Sequence, residues 1–159
     1  NITIISSEAA TVHQTEMEGR PHDYGEDVLA RLSIGREHPA TAYITARNTQ
    51  RRMRDQLLAS LENYDALMLP MMPLGAPPIG QNDVLVGGKA MDVRAAVTRY
   101  TQPFNLTGLP AISVPCGFTD DALPIGFQLA AKPFEEGALL RIAHAYERAT
   151  EWHKHRPLL

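Results

Sequence analysis

The sequence predicts an α/β fold in which a β-sheet is covered by helices on both faces. Three observations carry that prediction. Apolar residues recur at helical spacing in the first half of the chain, at Tyr43, Ala46, Met53, Leu57 and Leu61. Two short apolar runs, "AISV" and "PIGFQLA", flank the polar turn "TDDALP" and read as paired strands. A last stretch carries an apolar stripe, Leu139, Ile142, Ala143 and Tyr146, suited to packing on a sheet.

The elements follow in order. "SSEAATVHQTEMEG" opens on two candidate N-caps, Ser6 and Ser7, and closes at Gly19 before Pro21, which predicts a first helix. "GEDVLARLSIG" predicts a short second one. Pro39 suits the first turn of a third helix over about 39–63, with Arg47, Arg51, Arg52 and Arg54 on its wet face. "DALMLP" reads as a short buried strand. "PMMPLGAPPIG" excludes regular structure, and a loop is expected through "QNDVLVGGKA". A helix is expected to return from Met91 to about Arg99 and to end or kink at Pro103. Ile112 and Val114 share one strand face, as do Ile125, Phe127 and Leu129. The opposite faces carry small residues, so a second layer is expected there too. Glu135 and Glu136 begin the terminal helix, where acidic side chains favour the dipole.

Composition bounds the function. The 159 residues suffice for one domain with a real core, read as 1–63 mainly helical, 64–90 strand and Pro/Gly-rich loop, and 91–159 helix, strand hairpin and terminal helix. A net charge of −3 gives no basic footprint for nucleic acid. No apolar run approaches the roughly 20 residues that span a bilayer. One cysteine forms no internal disulfide, so an oxidising compartment is not required and a cytoplasmic setting is expected. The chain starts at Asn1 without the layout of a secretory signal, and the expectation is a piece of something longer.

"PFNLTGLPAISVPCGF", Pro103 to Phe118, concentrates three prolines, two glycines and the single cysteine. A thiol nucleophile needs a cation, base or helix N-terminus beside it, and Cys116 has no sequence-local His or Lys. It reads as a small buried apolar side chain. Ser113 lies mid-strand without a nucleophile elbow. The six histidines show no zinc spacing; "HKH" near the C-terminus reads as a solvated tail, and Asp120 and Asp121 belong to a turn. "VGGK" is too short for a phosphate loop. Gln128, a primary amide inside an apolar strand, needs partners. It either ties the sheet to the "FNLTG" loop through a backbone group or lines a substrate cavity. Asn105 presents the same choice.

"YDALMLPMMPLGAPPIG", "YTQPFNLTGLPAISVPCGF", "LPIGFQLAAKPFEEGALLRIAHAYERAT" and "WHKHRP", with upstream "RPHDYGEDVLARLSIG" and "AYITAR", resemble in this order the C-terminal part of the amidase signature family. The resemblance implies a mixed sheet between helical layers and hydrolysis of carboxylic amides, or transfer of the released ammonia, with no metal or organic cofactor. It implies a nucleophilic serine activated through a second serine and a lysine, in a Gly/Ser-rich signature upstream of the matched region. The serines here are Ser6, Ser7, Ser33, Ser60 and Ser113, the lysines Lys89, Lys132 and Lys154, and none has that setting. No catalytic residue is therefore expected in this chain, and the isolated piece is expected to be inactive.

The resemblance leaves a wall of the pocket for a small amide substrate, with Gln102, Phe104, Asn105 and Arg31 as candidates. Deleting the Phe104 ring is expected to alter amide preference more than folding. Arg31, through "ARLSIG", matches an arginine that helps recognise the glutamine carboxylate in the family's glutamyl-tRNA amidotransferases. Near Thr98 those relatives carry an aspartate for the amino group. Met71 and Met72 stand where relatives place a threonine beside the proline. The methionines imply a more apolar local surface, and the uncharged Thr98 favours a general amidase over a glutamine-dependent amidotransferase; a non-catalytic folding or interaction module is the third reading. Exposed sheet edge predicts a homodimer or element swapping, and a clean monomer by light scattering would count against it.

Overall fold

A computed structural model describes residues 1–156 of the chain. Pro157, the last residue of the "WHKHRP" stretch, lies outside the described residues, as do Leu158 and Leu159. The chain divides into two compact units, Asn1–Arg54 and Asp55–Leu159.

The first unit is helical. α1 (Ile2–Val12) and α2 (Gln14–Gly19) are separated at His13. The helix therefore starts earlier than Ser6 or Ser7: "ITII" enters it, and the Ser6 hydroxyl donates back to the carbonyl of Ile2 instead of capping. A 3₁₀ turn, Pro21–Asp23, precedes α3 (Glu26–Arg36), and α4 (Ala40–Ser60) starts directly after Pro39 and ends within three residues of the predicted span. Ile4, Ala10, Met17 and Leu32 are buried in this unit. Of the expected wet-face arginines, Arg47 reaches Glu8 of α1, which also accepts from the Tyr43 hydroxyl at 2.7 Å. That bond to Glu8 raises the Tyr43 pKa above the ordinary phenol value.

Gly35 sets the approach of α1 and α3. A Cβ there would lie 2.1 Å from the Ser6 carbonyl oxygen and 3.0 Å from the Ala10 Cβ. In an exposed helix Gly→Ala stabilises by about 1 kcal/mol. Here the obstacle is backbone, which cannot swing aside. Gly35→Ala is expected to destabilise this unit by about 1–3 kcal/mol, the range for overpacking. Faster amide exchange confined to residues 1–54 would report it, and a gain in stability would contradict it.

The second unit is built on an antiparallel sheet of order β1–β5–β4, formed by β1 (Leu67–Pro70), β4 (Ala111–Phe118) and β5 (Pro124–Ala130). Leu67 pairs with Ala130 and Leu69 with Gln128; Ser113 pairs with Gln128 from the other side. Every pairing among the described residues is antiparallel. Consecutive β5 residues face opposite layers. Leu129 packs with Val114 and with Leu139 and Ala143 of α7 (Glu136–Ala149), the predicted apolar stripe. Ala130 packs with Leu61, Phe104 and Leu109 on the other face. Both faces are covered, as the small residues imply. β1 differs from its prediction, since its residues alternate between half-buried and exposed.

Two further predictions fail for identifiable reasons. The expected loop through "QNDVLVGGKA" contains the hairpin β2 (Asp83–Val86) and β3 (Lys89–Asp92). Gly87 and Gly88 both take positive φ, as a two-residue hairpin turn requires, and so "VGGK" is that turn. Pro103 does not end a helix. α5 (Val93–Val97) is shorter than predicted and is capped by Asp92, whose carboxylate accepts from the Ala95 amide. Pro103 sits in the first turn of α6 (Gln102–Thr107), where a missing N–H is harmless. Gly108 closes α6 in the left-handed conformation. The dense stretch from Pro103 to Phe118 is thus a helix, a sharp turn and a strand.

No helix among the described residues is long and apolar enough to cross a membrane.

Candidate functional site

Two concavities lie in the second unit beside β4 and β5. The larger, about 700 Å³, is a cleft walled by the chain from Met68 to Leu74 on one side and by Pro115, Cys116 and Ile125 on the other. The smaller, about 320 Å³, is lined by Thr101, Phe104, Asn105, Ala111, Ile112 and Gln128. Met71 and Ser113 border both. Extension of the β1–β5 ladder holds Met71 there, its amide donating to the Gly126 carbonyl at 3.0 Å. Among the described residues, no charged side chain lines either space.

Gln128 is 2% exposed. Its Nε2 donates to the Pro70 carbonyl at 3.1 Å and the Tyr100 carbonyl at 2.9 Å. Gln128 ties the sheet to backbone carbonyls, at the end of β1 and before α6 rather than in "FNLTG", and it also lines the smaller cavity.

α6 presents the other candidates. Phe104 is 3% exposed and belongs to the core with Leu61, Leu109 and Ala130, while still reaching the cavity wall. Asn105, exposed, lines the same cavity. Gln102 donates its amide to the Thr98 hydroxyl at 2.7 Å, and that hydroxyl donates to the Arg94 carbonyl. Arg31 lies in the first unit on α3. Its guanidinium bonds to Asp27 one turn earlier, through both the carboxylate and the backbone carbonyl.

Cys116 departs from the buried reading. Pro115 pairs with Gly126 and Gly117 with Ile125, so Cys116 is the extra residue of a β-bulge. The bulge turns it, half-exposed, into the larger cleft. The "HKH" segment is partly packed, since the His155 ring lies against Phe118 and Trp152. Asp120 and Asp121 do sit in the turn between β4 and β5.

Serine and lysine do not meet among the described residues. Ser33 and Ser60 donate to carbonyls of their own helices. Lys132 donates to the Glu62 carbonyl and Lys154 pairs with Glu151. No group of three or more His, Cys, Asp or Glu among the described residues could hold a metal ion. Sequence reasoning missed the cleft formed by Met68–Leu74. The signal available was the run "MLPMMPL", whose prolines prevent a strand from closing over its methionines.

Comparison with known proteins matches the family model described as Amidase to residues 1–140. The A subunit of a glutamyl-tRNA(Gln) amidotransferase from Synechococcus sp. (strain JA-2-3B'a(2-13)) is 34% identical over 88% of the chain and 27% of its own length. An amidase of Pseudomonas putida is 33% identical over 98% of the chain and 34% of its own length. A crystal structure of an amidase superposes with a TM-score of 0.87 at 28% identity, covering 93% of this chain and 34% of that one. The chain spans about a third of the length of these relatives.

Proposed function

Because the chain belongs to the amidase signature family, we propose that it is the C-terminal segment of an enzyme hydrolysing carboxylic amides to a carboxylate and ammonia or an amine. In this reading a serine attacks the amide carbonyl and an acyl-enzyme forms. Water then releases the acid. The nucleophile, the bridging serine and the lysine that takes up the proton lie in polypeptide upstream of Asn1, and this segment supplies part of the pocket wall through Gln102, Phe104 and Asn105. A cytoplasmic location belongs to the same proposal. The observation that carries it is the mismatch in coverage: nearly the whole chain aligns with about a third of each relative.

The glutamine-dependent amidotransferase is the second reading, favoured by the similarity to the Synechococcus protein. There Arg31 would hold the glutamine carboxylate. Two contacts argue for the hydrolase instead. Arg31 is engaged by Asp27, and Thr98, which carries no charge for an amino group, is bonded to Arg94 and Gln102. The longer protein is expected to release ammonia from benzamide faster than from free glutamine. Preference for glutamine would establish the second reading.

A further inference from the structure

We propose that the cavity beside Gln128 and the cleft beyond Met71 together take a carboxamide bearing a bulky apolar substituent, the Gln128 side-chain oxygen accepting its N–H. The proposal rests on the amide-hydrolysing reading and names its substrate class.

The Gln128 amide is fixed in one orientation. Its two N–H bonds point to the Pro70 and Tyr100 carbonyls, and a flip would set Oε1 against both oxygens. Oε1 is then the remaining polar atom of a side chain lining the smaller cavity, and no described residue donates to it. An acceptor on a cavity wall can take up a ligand N–H. The ligand is neutral by the same chemistry, because an ammonium or carboxylate placed here finds no opposite charge on either wall among the described residues. Free glutamine, which carries both charges, is a poor fit.

The apolar part follows from the cleft. Its volume of about 700 Å³ and its methionine and proline walls match the usual pocket for a mostly apolar ligand. Met71, on the border, has a flexible thioether that adapts to varied alkyl or aryl shapes. A carboxamide head in the smaller cavity places its substituent past Met71 into the larger space.

Substitution of Gln128 threatens folding, so the test varies the ligand. Hexanamide, heptan-2-one (a methyl group replacing the amide nitrogen) and glutamine are titrated into the 159-residue chain with isotope-labelled methionine methyls. Hexanamide is expected to shift the Met71 and Met72 signals. Heptan-2-one, although more apolar, is expected to bind about threefold to tenfold more weakly, the worth of one hydrogen bond. Glutamine is expected to leave both methyls unmoved. Equal or tighter binding of the ketone removes Gln128 as the acceptor. Unshifted methionines with hexanamide, or an equal response to glutamine, removes the cleft. Turnover plays no part in this readout. Hexanamide that binds here but is not hydrolysed by the longer protein overturns the hydrolase reading alone, whereas hydrolysis without methionine shifts overturns this one.

Discussion

Gln128→Glu is expected to destabilise the Asp55–Leu159 unit by about 3–5 kcal/mol at neutral pH, the range for a buried charge left without a partner. The change is nearly isosteric, so side-chain volume is kept and the loss reads the electrostatics. An amide that donates to carbonyls at 3.1 and 2.9 Å is replaced by a carboxylate facing both oxygens. The defect has a predictable pH dependence. Burial raises the carboxyl pKa in the folded state above its unfolded value. The folded state then binds more protons, so stability rises as pH falls through the folded pKa and is lost as pH climbs above it. Urea unfolding followed by circular dichroism at neutral and acidic pH measures both effects. An unchanged midpoint at neutral pH would mean that the Pro70 and Tyr100 ties contribute little.

Phe104→Ala is expected to destabilise by about 3–5 kcal/mol, as for other buried aromatic truncations. This reverses the emphasis drawn from sequence, in which the ring matters more for amide preference than for folding. The ring is 3% exposed and sits between Leu61, Leu109 and Ala130, so its removal opens a void between α6 and the sheet. Phe104→Leu keeps most of the volume and is expected to lose less than half as much. Its effect on ligand preference is then measurable in a folded protein. Equal stability of the alanine variant and the parent chain would place the ring outside the core.

The α/β layering is legible in the sequence because it rests on period. Leu139, Ile142, Ala143 and Tyr146 recur at helical spacing, and all four pack at the same core. "AISV" and "PIGFQLA" alternate around a polar turn and pair as read, apart from the bulge at Cys116. The features that sequence reading misses depend on local geometry that composition obscures. Proline in "QPFNLT" reads as a breaker, although in a first helical turn it is a starter. "DVLVGGKAMD" alternates around a two-glycine turn, but the prolines before it draw the whole stretch into a loop. Of the candidate site, Asn105 is reached as a polar amide in a turn-rich stretch and Phe104 through the resemblance, and both line one cavity. The partners of Gln128 are out of reach of sequence, being carbonyls of Pro70 and Tyr100 that only tertiary folding brings to it.

Ammonia release from benzamide by the purified 159-residue chain tests the division of labour most directly. A wall without the serine–serine–lysine relay is expected to give no turnover above buffer at any chain concentration. Release that rises in proportion to the chain, and persists through further purification, would place the reactive groups inside this sequence and contradict the account.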